Sequence, residues 1–267
     1  MTEPTTALPR HRALVTDDGV RIAARYDPPR TAGDERFGVV LAHGLTGSTQ
    51  APDLRRVSEW FGADTGVVTF DFRGHGRSGG RSTVGDLEVL DLDAAVRWAR
   101  TLGHERVVTV GWSMGAAVAV RHAGLVGGVD AVVAVSGPAY WYYRGSRSAQ
   151  VAHRAFETRA GRAVLRYRYR TRIDPWHWVE DRPESWPPTP EQAASLVAPT
   201  PLLVVHGDVD TWFPPEHAHR LYDAAREPKE LWLLPGFGHA ESGAVAHGEE
   251  LVRRISTWLR SRPEVAG

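Results

Sequence analysis

The residue of this chain best suited to nucleophilic chemistry is a serine set between glycines, Gly111-Trp112-Ser113-Met114-Gly115. A β-branched run, Val107-Val108-Thr109-Val110, leads into it, and an Ala/Val-rich helical pattern follows at once. That order puts Ser113 on a sharp strand-to-helix turn, where glycines leave out Cβ atoms that would clash as the backbone doubles back. The hydroxyl is then exposed at a helix start, with the N–H of Met114 directed at any anion that forms on a bound substrate. Gly-x-Ser-x-Gly by itself says little in a chain with 27 glycines, and a second match exists at Gly76-Arg77-Ser78-Gly79-Gly80. Polar residues separate that match from the strand-like Val67-Val68-Thr69-Phe70, and no apolar helix begins at Ser78, which reads as a loop residue.

A serine nucleophile needs a base, and the base needs an orienting acid. Of 12 histidines, His239 stands in Pro235-Gly236-Phe237-Gly238-His239-Ala240, just past the last strand-like run and at the start of the final helical pattern. Its loop is expected at the same sheet edge as the turn carrying Ser113. The acid should come from another loop at that edge. The run Leu202-Leu203-Val204-Val205 leads into His206-Gly207-Asp208-Val209-Asp210-Thr211-Trp212-Phe213-Pro214. Asp210, beyond the turn at Gly207, is the better placed carboxylate; Asp208 is the alternative, with a turn or cap role as its plainer reading. The run ending at Val135 is followed by Ser136-Gly137-Pro138, with no competing carboxylate.

The elements that must position these groups alternate. Strands are expected at 11–16 and 20–26, joined by the hairpin-type turn Asp17-Asp18-Gly19. Apolar strands follow at 38–42, 66–70, 106–110, 131–135, 201–205 and 230–234, and helical patterns at 52–62, 84–102, 114–125, 215–226 and 240–260. Such alternation indicates βαβ units and an α/β fold, a doubly wound, mostly parallel sheet of about eight strands with right-handed crossovers. One interval departs from it. Residues 138–199 hold no obvious core strand but carry Tyr140-Trp141-Tyr142-Tyr143, Arg166-Tyr167-Arg168-Tyr169-Arg170 and Trp176-His177-Trp178. This interval is expected to be an inserted helical lid, dividing the core into 1–137 and 200–267. Its aromatics, Trp141 and Trp176 first, together with Trp212 of the acid loop, are candidates to line a substrate pocket. Plain packing and a solvated arginine face are the alternatives.

Composition narrows the function. With 267 residues, 42% of them hydrophobic, the chain can bury one sizeable core. Formal net charge is zero, so no global field favours nucleic acid or an acidic membrane surface. Absence of cysteine excludes disulfides, thiolate metal sites and cysteine nucleophiles. No signal-peptide core and no run of about 18 apolar residues is present, so a cytoplasmic protein without stable membrane insertion is expected. The histidines of Glu216-His217-Ala218-His219 lie two residues apart, on different faces of a helix, and do not suggest a metal site. The run 74–80 lacks the Gly-Lys-Ser/Thr ending of a phosphate loop. No cofactor is expected, only a small-molecule substrate.

The order Ser113…Asp210…His239, with His43-Gly44-Leu45-Thr46-Gly47-Ser48 and Asp71-Phe72-Arg73-Gly74-His75-Gly76-Arg77-Ser78, resembles the α/β-hydrolase superfamily. Within it the chain looks like a lidded serine hydrolase of the branch holding lysophospholipases, monoacylglycerol lipases and serine aminopeptidases. The resemblance implies that Leu45 supplies a second oxyanion N–H beside Met114, that the Asp71–Ser78 loop buttresses the oxyanion turn, and that His43 and His75 are structural. It also implies hydrolysis of a carboxylic ester, lipid-like or aryl, through an acyl-enzyme. Thioesterase, C–C hydrolase or lyase, and perhydrolase chemistry are alternatives on the same triad, and a catalytically silent ligand-binding protein is a third. Serine at 113 sets the chain apart from the aspartate-dependent dehalogenases and epoxide hydrolases of the fold. The Gly-Gly-Ser-Trp-Gly of proline iminopeptidases is absent, so aminopeptidase activity is not expected.

Overall fold

The computed structural model describes residues 11–31, 36–174 and 186–262. Eight strands form one sheet: β1 (His11–Val15), β2 (Arg21–Asp27), β3 (Phe37–Ala42), β4 (Gly66–Phe70), β5 (Arg106–Trp112), β6 (Ala131–Val135), β7 (Leu202–Gly207) and β8 (Lys229–Leu234). Their order is β1-β2-β4-β3-β5-β6-β7-β8. The hairpin β1–β2 runs antiparallel and β2 pairs antiparallel with β4, whereas β3 to β8 are all parallel. Parallel strands covered on both faces read as unbroken apolar runs, and β3, β4 and β6 are buried at every position. Alternate side chains along β3 feed opposite cores: Val40 and Ala42 enter one, and Phe37, Val39 and Leu41 the other.

Helices α1 (Pro52–Phe61), α8 (Ala240–His247) and α9 (Glu249–Arg260) pack with Leu54, Val57, Ala244, Leu251 and Ile255 on one face. On the other lie α2 (Glu88–Thr101), α3 (Met114–Leu125) and α7 (Glu216–Ala224), through Leu92, Ala95, Val118 and Leu221.

Two helices differ from the expected spans. The pattern 84–102 begins as a helix only at Glu88, because residues 82–87 wrap the Glu88 carboxylate. It accepts hydrogen bonds from the Ser82 and Thr83 hydroxyls and from the N–H groups of Thr83 and Gly85. The expected helix 240–260 is broken into α8 and α9 at Gly248, whose φ of 97° ends the first helix. Residues between β6 and β7 form α4 (Arg147–Glu157), α5 (Arg159–Arg168) and α6 (Pro190–Ala194). Helix α6 packs against α3 and α7 with Ala193 and Ala194 fully buried, so this end of the segment belongs to the core layer. Helices α4 and α5 pack on each other, and the carboxyl-terminal end of the segment carrying them returns to the core through a bridge between Ser82 and Ile173.

Candidate active site

Strand β5 ends at Trp112 and α3 begins at Met114, so Ser113 is the whole turn between them, at φ 52°, ψ −115°. A non-glycine residue held there is strained by about 1–3 kcal/mol and needs a surrounding structure that fixes it. The glycines on either side are required by close approach. A Cβ on Gly111 would lie 2.2 Å from the Gly115 carbonyl oxygen, and one on Gly115 would lie 2.1 Å from the Ala42 oxygen. The turn is further tied to the neighbouring strand by Ser113 N–H donating to Val135 O at 2.9 Å.

Loops after β7 and β8 bring the other two groups to this turn. His239 Nε2 lies 2.9 Å from Ser113 Oγ, and His239 Nδ1 lies 2.8 Å from Asp210 Oδ2. Asp210 is fully buried at its side chain, and its other oxygen accepts the N–H groups of Trp212 (2.8 Å) and Phe213 (3.1 Å). Burial alone would raise the Asp210 carboxyl. The hydrogen bond and charge of His239, helped by those two N–H groups, outweigh it and hold the group below its usual range. An ionised carboxylate accepts only, so Nδ1 carries the imidazole proton and Nε2 is left to accept from the Ser113 hydroxyl. Gly207 lets the loops carrying Asp210 and His239 fit together, since a Cβ there would lie 1.9 Å from the Phe237 carbonyl oxygen. Asp208 does not join the chain: its Oδ1 accepts the Gly236 N–H at 2.7 Å and caps the turn before His239.

Leu45 and Met114 both line the cavity in front of Ser113. The turn that carries Leu45 is braced from behind. Gly47 N–H donates to Gly44 O, and Thr49 N–H donates to Asp71 Oδ1 at 2.6 Å. Asp71 also accepts the Arg77 N–H, which fixes the 71–78 loop against the same turn. Ser78 is buried, accepting from Ala23 N–H and donating to Asp71 O. His43 donates from Nδ1 to Gly44 O and accepts the Phe72 N–H at Nε2, and burial pushes it down to about 4. His75 packs edge-on against His43 and is likewise brought down to about 4, first by burial and then by that neighbour. Both are neutral supports at physiological pH.

One nearby residue has no counterpart in the sequence reading. Glu241, in the first turn of α8, accepts the Gly44 N–H on Oε1 at 2.8 Å. Burial raises its carboxyl against that bond.

The cavity beside Ser113 measures about 540 Å³. Tyr140, Trp141, Tyr142 and Tyr143 form one wall, Ala149, Ala152 and Phe156 of α4 another, and Trp212 and Phe213 a third. Trp212 stacks on His239 with ring centroids 5.5 Å apart. Trp141 is fixed by its indole N–H donating to Pro187 O at 3.0 Å and by the Arg121 guanidinium over its ring. The α4 N-cap Ser146 donates to Trp212 O at 2.7 Å, tying that helix to the acid loop. Of the three tryptophans expected at a pocket, Trp141 and Trp212 line it, and Trp176 lies outside the described residues. His217 and His219 sit on α7; His217 is buried and accepts the Ala139 N–H, and burial brings it down to about 4. Among the described residues no group of three or more His, Asp or Glu side chains is arranged to hold a metal ion, and no helix is long and apolar enough to cross a membrane.

Comparison with known proteins agrees with this architecture. A monoacylglycerol lipase of Mycolicibacterium smegmatis is 30% identical, the match covering 83% of this chain and 86% of that protein. An uncharacterized protein of Mycobacterium tuberculosis is also 30% identical, over 88% of this chain and 74% of its own length. Among solved structures, the Pyrococcus furiosus esterase Pf2001 superposes with a TM-score of 0.70 at 26% identity, covering 94% of this chain and 91% of that one. The α/β hydrolase GrgF from Penicillium, 21% identical with a TM-score of 0.74 over 96% of this chain and 99% of its own, shares the fold. Residues 33–187 match the family model described as serine aminopeptidase, S33, and with the eight-stranded sheet and these relatives the chain belongs to that family, a branch of the α/β hydrolases.

Proposed function

We propose that this protein is a serine hydrolase that cleaves carboxylic esters through an acyl-enzyme. The observation that carries this reading is the continuous hydrogen-bonded chain Ser113–His239–Asp210 at the floor of an aromatic cavity. Ser113 Oγ attacks the ester carbonyl while His239 Nε2 takes its proton, and Asp210 holds the imidazole in the tautomer this requires. The N–H groups of Leu45 and Met114 donate hydrogen bonds to the developing oxyanion, the second from the start of α3. Collapse of the tetrahedral intermediate expels the alcohol, which takes the proton from His239. Water then attacks the acyl-Ser113 with His239 again as base, and the free acid leaves.

A lipase and an esterase among the relatives support ester substrates. A cavity of about 540 Å³ is within the range of small-molecule sites, roughly 300–1,000 Å³. In this reading α4 and the 140–143 wall act as a lid that selects the acyl or aryl part, while the sheet edge supplies the chemistry.

A fluorophosphonate probe, followed by a panel of p-nitrophenyl esters of graded chain length, tests the assignment. Ser113→Ala is expected to abolish labelling and to lower turnover by roughly 10⁴–10⁶. Asp210→Asn should lose roughly 10³–10⁴, because the imidazole loses its orienting anion. Asp208→Asn keeps an acceptor for Gly236 N–H and should remain within a few-fold of the parent. Labelling that survives in Ser113→Ala, or equal losses in the two aspartate variants, would sink the assignment.

A further inference from the structure

The lid segment is the one place where this neutral chain is strongly charged. Residues 144–172 contain nine arginines and one acid, Glu157, which leaves the rest of the chain at net −8. Glu157 is already paired with Arg144 at 2.5 Å. Arg147, Arg154, Arg159, Arg166, Arg168 and Arg170 form no ion pair among the described residues, and all are exposed. Arg166 and Arg168 lie over the rings of Tyr167 and Tyr169 instead.

Helix α5 adds an exposed apolar stripe. Its sole buried residue is Leu165. Ala160, Ala163, Val164 and Tyr167, spaced i, i+3, i+4 and i+7, share one face, and all are exposed. Val164 is 55% and Tyr167 80% exposed, and Val151 on α4 is 63% exposed. By helical spacing Arg159 and Arg166 border one side of the stripe and Arg168 the other. Arginines in that position extend their charged ends past the edge of an apolar face that is entering a less polar medium.

We propose that the outer face of α4 and α5 is a peripheral docking surface for an anionic lipid bilayer. Charge complementarity favours an anionic partner, since six guanidiniums without an ion pair among the described residues lie along 147–170, three of them bordering the stripe. The apolar residues among them favour lipid over nucleic acid, which offers phosphates and no hydrocarbon to receive Val164 and Tyr167. The inner face of α4, through Ala149, Ala152 and Phe156, lines the cavity at Ser113, so docking would set the cavity mouth beside a source of esterified acyl chains. The surface stands independently of the catalytic reading, because its test is binding alone.

Co-sedimentation of the full chain carrying Ser113→Ala, with vesicles of phosphatidylcholine alone or containing about 30 mol% phosphatidylglycerol, tests it. Binding is expected only to the anionic vesicles and should be lost at about 0.5 M salt. Arg159→Gln/Arg166→Gln/Arg168→Gln should weaken it at least tenfold. Val164→Ser/Tyr167→Ser should also weaken it, whereas a purely ionic contact would leave that variant unchanged. In the otherwise native protein neither set of substitutions should alter turnover of a soluble short-chain p-nitrophenyl ester, which reports that the variants fold. Equal binding to both vesicles, no binding to either, arginine or apolar variants that bind like the parent, or preferential binding of a DNA duplex would each overturn the proposal. Loss of ester turnover on Ser113→Ala with vesicle binding intact separates this surface from the site.

Discussion

Two residues beyond His239, Glu241 sends its carboxylate across to the N–H of Gly44, one residue before the proposed oxyanion donor Leu45. The contact links the His239 loop to the turn carrying Leu45, and Gly44 permits it because a Cβ there would sit 3.3 Å from both Glu241 Oε2 and Ser113 Cβ. Glu241→Ala leaves the N–H of buried Gly44 without its acceptor and frees the turn. It is expected to lower kcat by roughly 10–100-fold with little change in KM, and to weaken a boronic-acid inhibitor in parallel, as befits a group that acts through the oxyanion site. Glu241→Gln keeps an acceptor oxygen and should restore most of the rate. A fall in KM-dependent terms alone, or no rescue by Gln, would contradict this role. The difference in legibility between Glu241 and the proposed triad has a physical origin. Ser113, Asp210 and His239 each sit in a short local pattern, strand then glycine turn, that marks them. Glu241 sits where any acid complements a helix N-terminus, and its partner is 197 positions away.

At the scale of elements, the strands were legible because a parallel sheet covered on both faces demands β-branched apolar runs, and those runs stand out at β3 through β7. Helix ends were less so. The residues before α2 look helical by pattern, but a buried carboxylate at Glu88 offers their polar groups better partners than a helix would. The segment between β6 and β7 was readable as helical and aromatic, and not as a particular pocket shape, since that depends on how α4 is pinned to Trp212 by Ser146. Its inner face carries the next prediction. Trp141→Ala and Phe156→Ala each open a wall of the cavity. They should shift preference toward longer or bulkier acyl groups by about 1–3 kcal/mol, read as the ratio of kcat/KM along the p-nitrophenyl ester series. Fluorophosphonate labelling of Ser113 should persist in both. An unchanged chain-length profile accompanied by a lowered melting temperature would assign these rings to packing alone.

Across the whole molecule the buried imidazoles make acid stability a consequence of the fold. His43, His75 and His217 are each fully buried and brought down to about 4, His43 and His75 behind the turn that carries Leu45 and His217 beneath the cavity wall. In the unfolded chain an imidazole takes up its proton below about 6.5. Between the two values the unfolded state binds more protons than the folded one, so stability falls as pH drops through that window and is flat above it. One histidine shifted by this much contributes a loss of about 2 kcal/mol at pH 5 relative to pH 8. His153 and His206 are lowered as well, while two carboxyls raised by burial act in the opposite sense: Glu241, and Asp91, which burial pushes up to about 7 against its hydrogen bonds and ion pair with Arg73, so that it offsets about one of the three histidines. Asp210, held low by His239, adds its own loss only at still lower pH, when its carboxylate is finally protonated. For a domain of this size each kcal/mol moves the melting temperature by about 2–4 °C, so with Asp91 offsetting about one histidine a fall of at least about 5 °C between pH 7.5 and pH 5 is expected. Calorimetry across that range checks the slope, and NMR titration of the imidazole resonances checks its source. A melting temperature constant from pH 7.5 to 5, or resonances of His43, His75 and His217 that titrate near 6.5 in the folded protein, would show that these rings are not kept neutral by the core.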